Sequence, residues 1–220
     1  DSTDAFLDTL PELGIDEAFW FRCHPEVPCF TACCSDLTMP LTPYDVLRLC
    51  QGLNMGSEAF IEEYARVSCY PESGFPVFYL RMEDTGPRQC PFLEATGCGV
   101  YAHRSTACRT YPLGRATRPV EVPESGEPAL EERYLIVRED HCKGFAEQQP
   151  WTRATWLADQ GLVQYNAMND LYAMLMARFK AVANGTKLGQ RHATMALLCL
   201  YQQDRFLDFI QETGLLQRLA

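Results

Sequence analysis

Apolar residues recur at helical spacing in two short stretches of the first half of the chain. Thr42 to Asp45 place an N-cap threonine, a proline at the first helical position and an acid in the first turn. An apolar stripe follows, made of Val46, Leu47, Leu49 and Cys50. A second start at Ser57 precedes another apolar stripe. The pattern therefore predicts one helix from Thr42 and a second from Ser57 that ends near Val67.

Two later stretches are short and rich in β-branched and aromatic residues, which is typical of strands. They are residues 76–82 (PVFYLRM) and residues 133–138 (RYLIVR), and we expect them to pair as an antiparallel ribbon. The intervening residues 118–132 are rich in proline, glycine and glutamate, so they are expected to form a solvated loop.

The composition changes after Pro150, where cysteine nearly disappears and helical periodicity extends over residues 151–183 and 190–216. We expect two long amphipathic helices joined at Asn184-Gly185 as a helical hairpin. The fold class predicted is α+β and mostly α. Residues 1–150 would form a small metal-organised domain with short helices and a two-stranded ribbon, and residues 151–220 a helical extension packed on it.

Composition restricts the class of protein and its partners. The chain has 220 residues, of which 47% are hydrophobic and 22% charged, as expected of a globular protein with a core. The longest apolar run, residues 193–201, is much shorter than the roughly 20 residues of a membrane helix. A net charge of −10 makes nucleic acid and anionic membranes poor partners. Residues 151–220 carry seven Lys/Arg and five Asp/Glu, a net +2, which leaves −12 on residues 1–150.

The chain contains 11 cysteines, and eight of them lie in short-range groups. These eight are Cys23, Cys29, Cys33, Cys34, Cys90, Cys98, Cys108 and Cys142. The other three, Cys50, Cys69 and Cys199, sit alone in helix-like surroundings and are expected to be packed as small apolar residues. The odd total and the absence of a secretory leader at Asp1 favour a reducing cytoplasm, where grouped thiols tend to bind metal.

Thiolates are the ligands that both zinc and iron-sulfur clusters prefer, and four of them complete one site, so the eight thiols could make two. The side chains of the adjacent Cys33 and Cys34 normally diverge. They are therefore expected to serve two different centres, or one of them lies outside the ligand shell. His24, His103 and His141 are further possible ligands because each lies near a grouped cysteine.

These residues resemble the YkgJ-like cysteine-cluster family, a zinc- or iron-chelating domain of the CxxCxxCC type. The resemblance covers residues 21 to about 145 and rests on several aromatic and arginine positions as well as on the cysteines. The matching segments are Cys33-Cys34, Leu41 to Asp45, Cys90 to Leu93, Cys98 with Val100, Tyr101 and Arg104, Cys108-Arg109, Tyr111-Pro112 and Cys142. The spacings between the first cysteines are longer than in the family, and Ser105 replaces the usual proline.

The resemblance implies metal binding through cysteine, and one branch of the family, the flagellin lysine N-methylases, ties an iron-sulfur cluster to methyl transfer. Arg104 and Arg109 flank Cys98 and Cys108, and we expect their guanidinium groups to offset the charge of a bound cofactor by donating to its sulfurs. Binding of an anionic substrate is the alternative role for this pair.

Three functions remain open. The first is a protein that holds one or two 4Fe-4S clusters through the eight thiolates and has a redox or still undefined role. We favour this function because the ligands are all sulfur and because Cys90-Pro91 resembles the end of a ferredoxin motif. The second is a zinc-stabilised interaction module whose C-terminal helices bind a protein partner. The third is a methyl-transfer enzyme like the flagellin methylases, although no G-x-G-x-x-G loop follows a strand. Whether the protein is an enzyme stays open.

Overall fold

The computed structural model describes residues 2–84, 86–121, 128–183 and 185–219. Its α-helices are α1 (Ser2–Leu7), α2 (Pro43–Leu53), α3 (Ser57–Tyr64), α4 (Thr106–Thr110), α5 (Arg153–Asp159), α6 (Leu162–Ala183), α7 (Gln190–Tyr201), α8 (Gln203–Thr213) and α9 (Leu215–Leu219). Its strands are β1 (Ala18–Trp20), β2 (Pro40–Leu41), β3 (Ala65–Cys69), β4 (Pro76–Leu80), β5 (Leu93–Glu94), β6 (Gly97–Cys98), β7 (Leu113–Glu121), β8 (Pro128–Ile136) and β9 (Pro150–Thr152). Short 3-10 helices are Ala32–Cys34, Tyr101–His103 and Gly144–Ala146. The predicted class, α+β and mostly α, is confirmed.

The first predicted helix start is confirmed by a capping box at the beginning of α2. The Thr42 hydroxyl accepts a hydrogen bond from the Asp45 backbone N–H at 3.2 Å, and the Asp45 carboxylate accepts one from the Thr42 N–H at 2.9 Å. Helix α3 begins at Ser57 as predicted. It ends at Tyr64 and not near Val67, because the chain becomes extended at Ala65 and continues as β3.

The two strands predicted from sequence both exist, but the prediction that they pair with each other is wrong. Strand β4 lies between β2 and β3 in a three-stranded antiparallel sheet, and β8 pairs with β7 in a long hairpin. Parts of the predicted loop 118–132 therefore lie in strands, while residues 122–127 lie outside the described residues. Arg118 faces Glu131 across the ladder and forms an ion pair with it, which explains how a charged segment supports a strand.

The two long C-terminal helices predicted from the sequence are interrupted in the structure, at positions where the backbone leaves the helical conformation. Gly161 (φ +62°) separates α5 from α6, Gln202 separates α7 from α8, and Gly214 (φ +60°) separates α8 from α9. The stretches predicted as single helices are therefore series of shorter ones, with α6 the longest at 22 residues. The predicted joint includes Asn184, which lies outside the described residues.

The buried apolar residues form two clusters. The first surrounds Val46, Phe60, Phe78 and Tyr201, from α2, α3, β4 and α7. The second surrounds buried side chains of β1, the β7–β8 hairpin, α5 and α6, which are Phe19, Leu113, Tyr134, Trp156, Leu162 and Tyr165. Strand β1 also pairs with β9, so segments on both sides of position 150 share one core. Among the described residues, no helix has the length and apolar character needed to cross a membrane.

The three isolated cysteines lie in different environments. Cys50 is buried in α2, and Cys199 is partly buried in α7, as expected of packed thiols. Cys69 is exposed at the end of β3, so the prediction of a helical setting and a packed side chain is wrong for this residue.

Candidate metal centre

Backbone hydrogen bonds connect the cysteine segment that ends at Cys34 with the segment that begins at Cys90. Cys33 and Cys34 lie in the 3-10 helix Ala32–Cys34, which follows Thr31 in the left-handed region (φ 66°). The Cys90 N–H donates to the Cys34 carbonyl at 2.7 Å, and Ser35 forms a bridge with Gln89. Residues that are distant in the sequence are thus brought side by side without a long strand.

Four cysteines form what we call the first thiol group: Cys23, Cys29, Cys33 and Cys142. Burial, together with the neighbouring charges of Cys33, Cys29 and Cys142, raises the pKa of Cys23 to about 11. The Lys143 backbone N–H donates to the Cys29 sulfur at 3.0 Å, which fixes the segment after Cys142 against the first run.

The remaining four, Cys34, Cys90, Cys98 and Cys108, form the second thiol group. The pKa of Cys90 is raised to about 11 by burial and by the charges of Cys108 and Cys98. The hairpin β5–β6 places Cys98 opposite Leu93, and the short helix α4 carries Cys108. Cys34 is assigned to this group because its carbonyl accepts the hydrogen bond from the Cys90 N–H. Its pKa is raised by the hydrogen bond with Cys33 and by burial, and the charges of Cys90 and Cys108 add to these effects.

The adjacent Cys33 and Cys34 mark the boundary between the two groups. A hydrogen bond from the Cys34 side chain lowers the pKa of Cys33 to about 6 against the opposing effect of burial, and the same bond raises the pKa of Cys34. Within the described ranges, no three His, Cys, Asp or Glu side chains converge closely enough to hold one metal ion. The two groups are therefore defined as sets of neighbouring thiols, and not by convergence on a metal position.

A buried carboxylate positions the helix that carries Cys108. Asp45 is only 1% exposed, and one of its oxygens accepts bonds from the Thr106 N–H and hydroxyl, both at 2.7 Å. Burial raises the pKa of Asp45, whereas these donors act in the opposite direction. Asn169 of α6 also donates to the Thr106 hydroxyl, at 2.9 Å. From the sequence, Asp45 was recognised only as part of a helix start. Its contact with Thr106 joins residues 61 positions apart, so no local pattern indicates it.

The two arginines predicted to accompany a cofactor are placed differently. The guanidinium of Arg104 stacks 3.8 Å from the centroid of the Tyr101 ring and donates to the Gln160 side chain at 2.8 Å. The guanidinium of Arg109 donates to the backbone carbonyls of Arg104, Gln160 and Ala102 and lies over the Tyr165 ring. Arg109 therefore ties together the backbone around α4.

The three histidines contact other side chains or face the surface. His24 lies 3.2 Å from a Glu147 oxygen, and His103 lies 3.4 Å from the Arg48 guanidinium. His141 is exposed, and its charge helps to lower the pKa of Cys33.

Comparison with protein families gives one match. The CxxCxxCC family model, described as "Putative zinc- or iron-chelating domain", matches residues 22–143. That range spans both thiol groups, the Asp45 contact and Arg104. No curated protein and no solved structure matches the chain.

Proposed function

Because the chain belongs to the CxxCxxCC family of zinc- or iron-chelating domains, we propose that it binds metal at two centres of four thiolates each. The first thiol group would supply Cys23, Cys29, Cys33 and Cys142 to one centre. The second would supply Cys34, Cys90, Cys98 and Cys108 to the other. The observation that carries the proposal is that two backbone contacts bring distant cysteine segments together: the Cys90 N–H donates to the Cys34 carbonyl, and the Lys143 N–H donates to the Cys29 sulfur.

The donor chemistry supports this assignment. Each set contains four sulfur atoms, the number that completes a tetrahedral zinc site or binds the four corners of a cubane cluster. The allocation of Cys33 and Cys34 to different sets avoids bringing two adjacent side chains into one ligand shell.

We favour iron-sulfur clusters over zinc at these centres. Every ligand of both sets is a thiol, and Cys90 is followed by Pro91, as at the end of ferredoxin motifs. Such a cluster supplies one-electron transfer when bound. The surrounding chain would contribute partial burial, since six of the eight grouped cysteines are partly buried. The other two, Cys23 and Cys33, are exposed.

Structural zinc is the second candidate, and the loop character of residues 23–35 favours it. This segment holds its shape through single turn hydrogen bonds, among them Ala32 to Cys29 and Cys34 to Thr31, and has little regular structure besides the 3-10 helix. Segments of this kind commonly depend on a structural metal for their folding free energy.

Anaerobic purification followed by visible absorption and by iron, sulfide and zinc analysis separates the two candidates. An iron-sulfur protein would be brown and would contain sulfide, whereas a zinc protein would be colourless. Cys33→Ser and Cys34→Ser should each lose about half of the bound metal and leave different residual spectra, because each removes one ligand from a different centre.

Cys199→Ser is the matched control, since Cys199 lies in α7 outside both groups. It should retain the metal content of the unmodified protein. If the unmodified protein binds no metal, the proposed function is wrong. Identical residual spectra in Cys33→Ser and Cys34→Ser would instead leave metal binding intact and contradict the two-centre arrangement.

A further inference from the structure

We propose that the surface between α2, the 3-10 helix Tyr101–His103 and the α5–α6 turn binds a phosphate group, either free phosphate or the phosphate of a small monoester. We call it the cationic site, and it consists of three guanidinium groups and one imidazole ring, those of Arg48, Arg104, Arg109 and His103. The proposal does not depend on metal binding, because no cysteine contributes to this site.

Two of the guanidinium groups share one aromatic ring. The Arg48 guanidinium of α2 lies 5.7 Å from the centroid of the Tyr165 ring, and the Arg109 guanidinium lies 4.8 Å from the same centroid. One terminal nitrogen of Arg48 also lies 3.4 Å from Nδ1 of His103. Three separate elements therefore place basic side chains around one residue of α6.

Gln160, in the turn between α5 and α6, joins the third guanidinium to this set. Its side-chain oxygen accepts a hydrogen bond from Arg104 at 2.8 Å, and its backbone carbonyl accepts one from Arg109 at 2.6 Å. The Nε of Arg109 also donates to the Arg104 carbonyl at 3.2 Å. The three guanidinium groups are therefore linked by one connected series of direct contacts.

The positive charge of the cationic site is not neutralised by acidic side chains. Among the described residues, no Asp or Glu forms an ion pair with any of its three arginines, whereas Arg115 contacts Asp170 at 2.7 Å. Asp159 reaches the site through the Gln160 amide, which donates to its carboxylate at 2.8 Å. Like charges held together in a partly buried position repel one another, and a bound anion would offset this repulsion.

Three buried donors at the cationic site lack an acceptor within the described part of the chain. They are Nε of Arg48, Nε of Arg104 and the hydroxyl of Tyr165. Buried polar groups of folded proteins nearly always have a hydrogen-bond partner, so a set of three without one at the same place needs an explanation. A bound oxyanion would bring acceptor atoms and negative charge to a site that lacks both.

The contact between Arg48 and His103 leaves a further donor at the site. A guanidinium has no acceptor atom, so Nδ1 of His103 must accept the bond from Arg48. The proton of the neutral imidazole then lies on Nε2, which can donate to a ligand. The histidine therefore adds a directional donor to the charge of the arginines.

The donor set favours phosphate over a carboxylate. Guanidinium groups bind phosphate oxygens through paired N–H···O bonds, and a phosphate monoester carries about −1.5 to −2 at pH 7. Three positive charges match this value more closely than the single charge of a carboxylate. The four basic side chains of the site are partly buried, so solvent and salt screen their charges less than those of exposed side chains.

Isothermal titration calorimetry of the anaerobically prepared full chain tests the proposal, with inorganic phosphate, phenyl phosphate and acetate as probes at constant ionic strength. We expect saturable binding of at least one phosphate probe, at one site per chain, and at least tenfold weaker binding of acetate. Arg48→Gln and Arg104→Gln should each weaken phosphate binding roughly 10- to 100-fold, because each removes a charged donor. Arg48→Lys keeps the charge and should weaken binding less than Arg48→Gln.

Arg88→Gln is the matched control, because Arg88 is exposed and paired with Asp36 away from the cationic site. It should bind phosphate as the unmodified protein does. Circular dichroism establishes which variants are folded. Arg48 and Arg104 lie on different elements, so either substitution tests the site if the other prevents folding.

The relative affinities of the two phosphate probes identify the source of the phosphate group. Tighter binding of phenyl phosphate would assign the site to a monoester, and tighter binding of inorganic phosphate would assign it to the free ion; both results support the proposal. Absence of saturable binding of either probe would overturn it. Unchanged affinity in the folded glutamine variants, or acetate binding as tight as phosphate binding, would also overturn it.

Discussion

At the scale of single residues, Asp45 connects the helix start of α2 with the start of α4. Its carboxylate accepts hydrogen bonds from Thr42 and from both donors of Thr106 in a nearly fully buried position. Buried acceptors of this kind contribute to stability because their loss leaves several donors without partners. Asp45 is therefore a residue on which the position of Cys108 depends, although it is not itself proposed as a ligand.

We predict that Asp45→Asn lowers the free energy of unfolding by about 2 kcal/mol, because asparagine keeps one acceptor oxygen and places an NH2 group at the other, so that either the bond from Thr42 or the bonds from Thr106 are lost. Urea denaturation followed by tryptophan fluorescence measures the change. Asp36→Asn is the control, because Asp36 is an exposed partner of Arg88 and surface ion pairs contribute about 0–1 kcal/mol. Equal effects of the two substitutions would contradict the role assigned to Asp45.

A second prediction concerns Cys33 in the metal-free protein. Its pKa is lowered to about 6, so it is mostly thiolate at pH 7, whereas Cys23 has a pKa of about 11 and is almost entirely thiol. After correction for the lower nucleophilicity of a weakly basic thiolate, alkylation of Cys33 should be roughly 30- to 100-fold faster than that of Cys23. Both residues are exposed, so access does not separate them.

Mass spectrometry of peptides after timed exposure to iodoacetamide measures this difference. The rate at Cys33 should fall as the pH decreases through about 6, because protonation then removes the thiolate. A rate at Cys33 equal to that at Cys23 between pH 6 and 8 would contradict the lowered pKa.

At the scale of elements, the contact between α2 and the 3-10 helix Tyr101–His103 is unusually close. A Cβ atom added at Gly52 would lie 2.8 Å from both Cβ and Cγ of His103. Glycine in a helix interior normally costs stability, but here it allows α2 to approach the segment that leads to Arg104 and α4.

We predict that Gly52→Ala destabilises the protein by about 1–3 kcal/mol, because the steric overlap exceeds the gain of about 1 kcal/mol in helix propensity. Gln51→Ala is the control, since Gln51 is the exposed neighbour on the same helix. Thermal unfolding of the two variants measures the difference. A higher unfolding temperature for Gly52→Ala would contradict the prediction, because it would show that α2 and the 3-10 helix Tyr101–His103 can move apart without loss of stability.

The sequence predicted elements best where the signal was local. The start of α2 followed from Thr42, Pro43 and Asp45, which all lie within one helical turn. The predicted pairing of β4 with β8 is wrong because partner choice depends on contacts between distant segments. The strand character of β7 is obscured in the sequence by charged residues, such as Arg118, that pair across the ladder.

The same distinction applies to the candidate site. Grouping of the cysteines is visible from their spacing. Their proposed division into two sets rests on contacts between distant segments, namely the bond from the Cys90 N–H to the Cys34 carbonyl and the bond from the Lys143 N–H to the Cys29 sulfur. Arg104 and Arg109 were equivalent in the sequence because both flank cysteines. They differ in the structure because the Arg109 guanidinium donates to backbone carbonyls, whereas that of Arg104 donates to the Gln160 side chain.

At the scale of the whole molecule, we expect the cysteine segments to depend on metal more than the C-terminal helices do. Helix α6 packs Leu162 and Tyr165 into the second apolar cluster with Trp156 and Tyr134, and these contacts need no ligand. The loops that carry the first thiol group have few buried apolar side chains of their own, and Val27 is one of them.

We therefore predict that chelation increases hydrogen exchange by roughly tenfold or more in residues 23–35 and 88–108, whereas α6 keeps most of its protection. Mass spectrometry of proteolytic peptides, with and without chelator under anaerobic conditions, makes the comparison. An equal loss of protection in α6 would show that the apolar clusters also require metal. Unchanged exchange in both loop segments would contradict a structural role for the centres.

The positions of Cys108 and Cys142 also set an order of assembly during synthesis. On the proposed assignment, the second thiol group has all its members once Cys108 has been translated, but the first lacks its fourth member until Cys142 follows. At 5–20 residues per second, the interval is roughly 2–7 s. During that time Cys23, Cys29 and Cys33 are present on the nascent chain as an incomplete set, open to oxidation or to capture of the wrong ion.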